Sequence, residues 1–181
     1  MIHFRCYSFL KRHLMFSLIA KLFSKADANS SVSTSGILDY EKLILLDAER
    51  LAEQGIADAY QLLLPALREQ VARPAEVREI LDADLPAYTI QCNGEEYIVY
   101  SAADPGTEVQ SWGRATFFLF LIVNKQLKGT GIQFYAVDGG NNLAGIFLSQ
   151  EQALLAQAAI NSRTDWPYIP ELNEPRYGQY H

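Results

Sequence analysis

From residue 37 onward the apolar positions recur at helical spacing. Leu38, Leu43, Leu45, Leu46, Leu51 and Ala52 are interleaved with Asp39, Glu41, Lys42, Asp47, Glu49, Arg50 and Glu53. The pattern predicts a helix over 37–54 closed by Gly55, because glycine takes the left-handed capping conformation without strain. A second helix is expected over 56–71, with Tyr60, Leu63, Leu64 and Leu67 on its inner face and an interruption or kink at Pro65. The glycine between them makes the two an antiparallel helical pair. Pro74 suits a helix start, so a short helix is expected over 75–81.

The period then changes from helix to strand. Residues 87–92 and 95–101 are β-rich and flank Asn93-Gly94, the residue pair that a two-residue hairpin turn with positive φ at both positions favours. That turn sets Cys92 opposite Glu95, Ile90 opposite Tyr97 and Tyr88 opposite Val99, and the face so formed is mostly apolar. Asp104-Pro105-Gly106 is a turn. Seven successive apolar residues, 117–123, are expected to be buried on every side, and periodicity alone does not separate helix from strand there. The serine at 111, the polar Asn124-Lys125-Gln126 and Gly129 favour a buried helix over 111–128, with Trp112 expected in the core. A second hairpin joins 132–137 to 143–148 around Asp138-Gly139-Gly140-Asn141-Asn142. Pairing Val137 with Leu143 would put Ile132, Phe134, Ala136, Ala144, Ile146 and Leu148 on one face. Ser149 and Gln152 start a last helix. Trp166-Pro167-Tyr168-Ile169-Pro170 cannot be helical throughout and is expected to strap across the domain as extended chain.

These elements predict an α+β domain over 37–170, an antiparallel sheet of about four strands (two β-hairpins) backed by helices, with the helical pair at its N-terminal side. Residues 171–181 are expected to be a frayed tail. Residues 1–36 read as a basic amphipathic arm followed by a flexible linker from Asn29 to Gly36. Met15, Leu18, Ile19, Leu22 and Phe23 form an apolar stripe, with Lys21 and Lys25 opposite. The arm would allow membrane-surface contact, or export if residues 1–28 are a signal peptide, although Lys21 interrupts its apolar run. A chain start at Met15 is the other reading of the same segment. Otherwise the expected location is cytoplasmic.

Charge and rare residues narrow the function. Of the formal charge of −6, residues 1–28 contribute +4 and the remainder −10. So acidic a body repels phosphate backbones, which excludes nucleic acid as the expected partner, and it attracts basic protein surfaces. The three histidines are His3, His13 and His181, so the usual general base and metal ligand is missing from 14–180. No zinc spacing, calcium loop or phosphate loop is present, and no cofactor or metal is expected. Asp138-Gly139-Gly140-Asn141-Asn142 reads as a plain turn. Cys92 falls on the apolar face of its strand and reads as an inert buried thiol.

The candidate partner-binding residues are Asp82, Asp84, Glu95, Glu96, Asp104 and Glu108, which surround the two ends of the first hairpin, together with Trp166 and Tyr168 in the Pro-rich strap. No catalytic residue is nominated. The layout is similar to small bacterial toxin-immunity proteins in four places: Ser111-Trp112-Gly113 leading into an apolar helix, the Phe134-Tyr135-Ala136 strand, the Gly-Gly-Asn-Asn turn and Asp165-Trp166-Pro167-Tyr168. The resemblance carries over no site residue. It implies a cytoplasmic protein that neutralises a cognate basic toxin by occluding its active surface. Two other classes stay open. One is a carboxylate-dependent hydrolase or small-ligand-binding protein with a pocket between sheet and helices. The other is a membrane-surface accessory protein that uses the N-terminal arm.

Overall fold

The computed structural model describes residues 38–82 and 84–180. The arm, the linker, the signal-peptide and membrane readings, Cys6 and all three histidines lie outside the described residues. The described part is α+β, and its strands divide between two three-stranded antiparallel sheets of order β1-β6-β5 and β2-β3-β4. The strands are β1 Ile44–Leu45, β2 Val77–Asp82, β3 Ala87–Cys92, β4 Glu95–Ser101, β5 Ile132–Val137 and β6 Ala144–Ser149. The helices are α1 Ile56–Gln70, α2 Gly106–Val109, α3 Ser111–Gln126 and α4 Gln150–Ala159.

Where the first long helix was expected, the chain forms a 3-10 turn (Tyr40–Lys42), strand β1 and an irregular helical stretch ending at Gly55. Sheet pairing overrides the local period. Ile44 pairs with Gly145 and Leu45 with Ala144, and the Leu46 and Asp47 amides both donate to the Leu143 carbonyl. Asp47 then turns at φ 75°, and its carboxylate accepts from the Glu49 and Arg50 amides. The left-handed residue at the end of the stretch is Gln54 (φ 67°), one position before the Gly55 expected to cap it. Helix α1 runs through Pro65 without a break, burying Tyr60, Leu63 and Leu67.

The helix expected over 75–81 is strand β2. Ala75 cannot begin a helix because its amide donates to Gln126 Oε1 (2.7 Å) and its carbonyl accepts the Tyr60 hydroxyl (2.8 Å). Beyond it, Val77, Glu79 and Leu81 sit opposite Cys92, Ile90 and Tyr88, which extends the first hairpin into a meander. Glu79 ties this sheet to α1. Its Oε1 accepts the Tyr88 hydroxyl (2.6 Å) and the Ala57 amide (3.0 Å), which places a carboxylate at the positive end of the helix.

In the first hairpin, Asn93 and Gly94 have φ 52° and 79°, as the turn demands. Cys92↔Glu95 and Ile90↔Tyr97 are paired as expected. A bulge after Tyr88 moves its partner from the expected Val99 to Tyr100. Cys92, Ile90, Tyr88, Tyr97 and Val99 are all buried on one face, against the helices.

In the second hairpin the register differs by one residue. Val137 pairs with Ala144, because Leu143 leaves the ladder to receive Leu46 and Asp47. The slip separates residues expected on one face. Phe134 and Ala136 join the main core with Phe147, and Tyr135, Val137, Ile146 and Leu148 pack a second cluster with Leu38, Ala153 and Ala156. Both faces of this sheet are therefore covered. Helix α3 confirms the buried-helix reading of 117–123. Trp112, expected in the core, is 44% exposed because the first turn of α3 precedes the residues that reach the core, which begin at Ala115. Helix α4 starts with the Ser149/Gln152 capping box.

The C-terminal segment crosses the outer edge of β5 as extended chain. Tyr168 and Ala136 exchange two backbone hydrogen bonds (2.8 and 2.9 Å). Residues 171–180, expected to fray, turn back on the domain. The Tyr177 ring occupies the space where a side chain at Gly113 would stand, and Tyr180 meets Trp166 edge-on.

Candidate functional site

Between Arg78 and Arg114 the sequence has seven carboxylates and no lysine or arginine. The β2-β3-β4 meander is built almost wholly from this stretch. Its topology leaves Glu79 mid-strand against α1 and sorts the other six to two ends, roughly 20 Å apart at about 3.3 Å per residue. At one end the β2–β3 turn and the β4–α2 turn are joined by the Ala102 amide donating to the Pro86 carbonyl (2.8 Å). Thr107 fixes the second turn, with its amide and hydroxyl both donating to the Asp104 carbonyl (3.0 and 2.6 Å). Its Oγ1 also accepts the Ser101 amide (2.9 Å). Together these turns bring Asp82, Asp84, Asp104 and Glu108 to one end of the sheet, all exposed.

Asp82 Oδ1 accepts the Asp84 and Leu85 amides, which sets the first turn. No ion pair reaches any of these four carboxylates among the described residues. Leu81, Leu85 and Val109 lie on the same two segments and are exposed, Val109 to 90%. Exposed apolar side chains on the same segments as exposed charge of one sign suit a docking face better than a catalytic pocket, since exposed acids of this kind have neither a low-dielectric wall nor a base to work with.

The other acids behave differently. Glu95 binds the Lys125 ammonium and the Tyr97 hydroxyl, with Lys125 Nζ also 3.1 Å from Tyr97 Oη. The Lys125 hydrogen bond, with that of Tyr97, holds the Glu95 carboxyl below the ordinary carboxylate range. Its contribution to stability is therefore present above the unfolded value and is lost as pH falls through the lowered one. Lys125→Met is expected to raise the Glu95 titration midpoint in a carboxyl-resolved NMR experiment, and an unchanged midpoint would show that the pair does not form in solution. Glu96 lies on the outer face, opposite Gln91, which is itself opposite Arg78.

Trp166 and Tyr168 belong to the other sheet. The Trp166 indole N–H donates to the Ile160 carbonyl (2.8 Å), and Arg163 lies over its ring at 5.3 Å. Tyr168 is only 5% exposed and its hydroxyl donates to the Asp138 carbonyl (3.0 Å), so it holds the strap in place and offers a partner no surface. The eight nominated residues thus form no single site. Four come together, Glu95 is spent on an internal ion pair, Glu96 stands apart, and the two aromatics lie elsewhere.

Two features were not legible beforehand. Partial desolvation, with the nearby Asp165 carboxylate, raises the Asp138 carboxyl above its usual range. A cleft of about 590 Å³ lies between α4 and the C-terminal strap, lined by Tyr135, Leu154, Gln157, Pro175, Arg176 and Tyr180. No buried side-chain nitrogen or oxygen among the described residues lacks a hydrogen-bond partner. Among the described residues no cluster of His, Cys, Asp or Glu could hold a metal ion, and no helix is long and apolar enough to cross a membrane. No protein-family model matches the chain, and no curated protein and no solved structure is significantly similar to it.

Proposed function

We propose that this protein is a non-catalytic binding module that takes a basic protein surface on the end of the β2-β3-β4 sheet, and that it acts as a cytoplasmic immunity-type protein by covering the active face of a cognate toxin. The observation that carries the reading is that Asp82, Asp84, Asp104 and Glu108, exposed and without an ion pair among the described residues, stand on the two joined segments that also carry the exposed Leu81, Leu85 and Val109. Charge at the rim accelerates and orients the encounter, and apolar anchors within it supply affinity once water is expelled. A base-free surface also rejects acidic partners through like-charge repulsion.

The test compares the parent chain with D82N/D84N/D104N/E108Q, both immobilised and challenged with source-cell extract at low and at high salt. Asparagine at 82 keeps the oxygen that receives the Asp84 and Leu85 amides, so the turn survives. The expected result is one stoichiometric basic protein, bound at least about tenfold more weakly by the variant and released by salt. Equal retention by the variant sinks the docking face. If the captured protein does not arrest growth when expressed alone, or if the parent chain does not relieve the arrest, the immunity reading falls while binding stands.

A further inference from the structure

Three of the four outer sheet edges are closed or too short to matter. On β5 the Asn124 side chain pairs with both backbone groups of Phe134, and Tyr168 pairs with those of Ala136. On β4 the Arg114 guanidinium donates to the Ile98 and Val99 carbonyls, and Thr107 accepts from Ser101. β1 is two residues long. β2 differs from all of these. It is a six-residue edge strand, and among the described residues none of its backbone groups bonds to anything except β3. It contains no proline, lysine or bulge; its charges are the inward Glu79, bound by the Tyr88 hydroxyl and the Ala57 amide, and the outer Arg78 and Asp82, which are of opposite sign and so complement a second copy.

We infer that β2 is the surface through which two copies of this chain join, edge to edge and antiparallel about a two-fold axis at Ile80, forming one six-stranded sheet. The partner follows from the strand's own charge pattern. With Ile80 opposite Ile80 of the second copy, Arg78 stands opposite Asp82 twice, and Glu79 stands opposite Leu81. Arg78, Ile80 and Asp82 share the outer face, being opposite Gln91, Thr89 and Ala87. The dyad therefore has an apolar pair at its centre and an opposite-charge pair on each side. No neighbouring register does this. A shift of two residues one way sets Glu79 against Glu79, and a shift of two the other way sets Leu81 against Leu81 and carries the position opposite Arg78 to Asp84, past the end of β2. A shift of one sets Arg78 against Leu81 or Glu79 against Asp82, and it turns one sheet over relative to the other.

The side chains are placed for the contact. Ile80 is 42% exposed, and Arg78 and Asp82 are also exposed. Arg78 is held out along the strand by a bidentate pair with Glu76 (2.8 and 2.9 Å). Asp82 is fixed through Oδ1 by its turn, while Oδ2 has no hydrogen-bond partner among the described residues. The dimer shares Asp82 with the acidic docking face and needs none of its other carboxylates, and Ile80→Lys leaves every carboxylate of that face in place.

Sedimentation of the full chain over a concentration series tests the inference. The parent is expected to form dimers. Ile80→Lys, which sets two ammonium groups against each other at the dyad, is expected to be monomeric with an unchanged circular dichroism spectrum, and to lose the concentration dependence of the parent's melting temperature. Arg78→Asp alone and Asp82→Arg alone are each expected to weaken association at least about tenfold. Their equimolar mixture, and the double variant R78D/D82R, should recover it, because both restore two opposite-charge pairs. If Asp82→Arg disturbs its turn, as circular dichroism would reveal, Arg78→Asp and Ile80→Lys still decide the matter. A parent that stays monomeric at every concentration overturns the inference, as does a dimer indifferent to Ile80→Lys or a charge swap no better than its single parts.

Discussion

Gly145→Val is expected to cost about 3 kcal/mol of folding stability, read as a lowered urea midpoint at unchanged slope. Gly145 is paired on both sides, with Ala136 of β5 and Ile44 of β1. A Cβ added there would fall 2.0 Å from Phe134 Cζ. The Phe134 ring is fully buried, stacked on Phe120 at 4.6 Å and packed against Phe147 at the same separation. It has no empty volume to enter, so the sheet or the aromatic stack must shift. Phe134→Leu in the same chain should return part of the loss by removing the atoms that collide, although it adds a cavity of its own. Gly145→Ala alone already tests the geometry, since a neutral effect would mean that the ring does not lie over this position.

Asn124→Leu is expected to lose a similar amount for a different reason. The Asn124 side chain acts as a detached piece of β-ladder. Its Nδ2 donates to the Phe134 carbonyl (3.0 Å), and its Oδ1 accepts the Phe134 amide (2.7 Å). Leucine leaves both backbone groups without partners at a buried residue, a loss of about 3 kcal/mol. Asn124→Asp is the sharper probe, because it changes one atom. The carboxylate still accepts the amide but faces the carbonyl with a second oxygen, so the ionised form is disfavoured in the folded state and the folded pKa lies above the unfolded one. The protonated acid can donate to the carbonyl. Its stabilisation is therefore present below the unfolded value and is lost as pH rises through the folded value. Urea midpoints for Asn124→Asp relative to the parent should rise on going from neutral pH to about pH 4. A pH-independent difference between the two would rule out the paired geometry.

Local chemistry made some of the fold legible. Asn93-Gly94 specified its hairpin, Ser149 and Gln152 their capping box, and the polar close at Asn124-Lys125-Gln126 separated a buried helix from a strand at 117–123. What the sequence concealed was decided by partners far along the chain. Ile44 and Leu45 have a helical period, yet they become strand because Ala144 and Gly145 are there to pair with. Val77–Asp82 follows a helix-starting proline, yet Tyr60 and Gln126 take the backbone groups of Ala75. The second hairpin slipped by one residue because a sheet apolar on both faces gives alternation nothing to choose between.

The candidate face was half legible in the same sense. A stretch without a single basic residue is visible in composition. That Asp82, Asp84, Asp104 and Glu108 converge while Glu95 is captured by Lys125 depends on which turns the topology brings together. Tyr168 looked like an anchor because aromatic strap residues often are, and its burial depends on the edge of β5.

The β1-β6-β5 sheet has a consequence for how the protein tolerates trimming. It is a partition with an apolar coat on each side. The helices α1 and α3 cover one side, and the other is sealed by the two extremities of the described chain: Leu38 and Leu43 from ahead of β1, and α4, Ile160 and Ile169 from behind β6. Cropping at either extremity bares the second apolar side of that wall, with Tyr135, Val137, Ile146 and Leu148 on it. Such a fragment would keep most of its interior and still be insoluble.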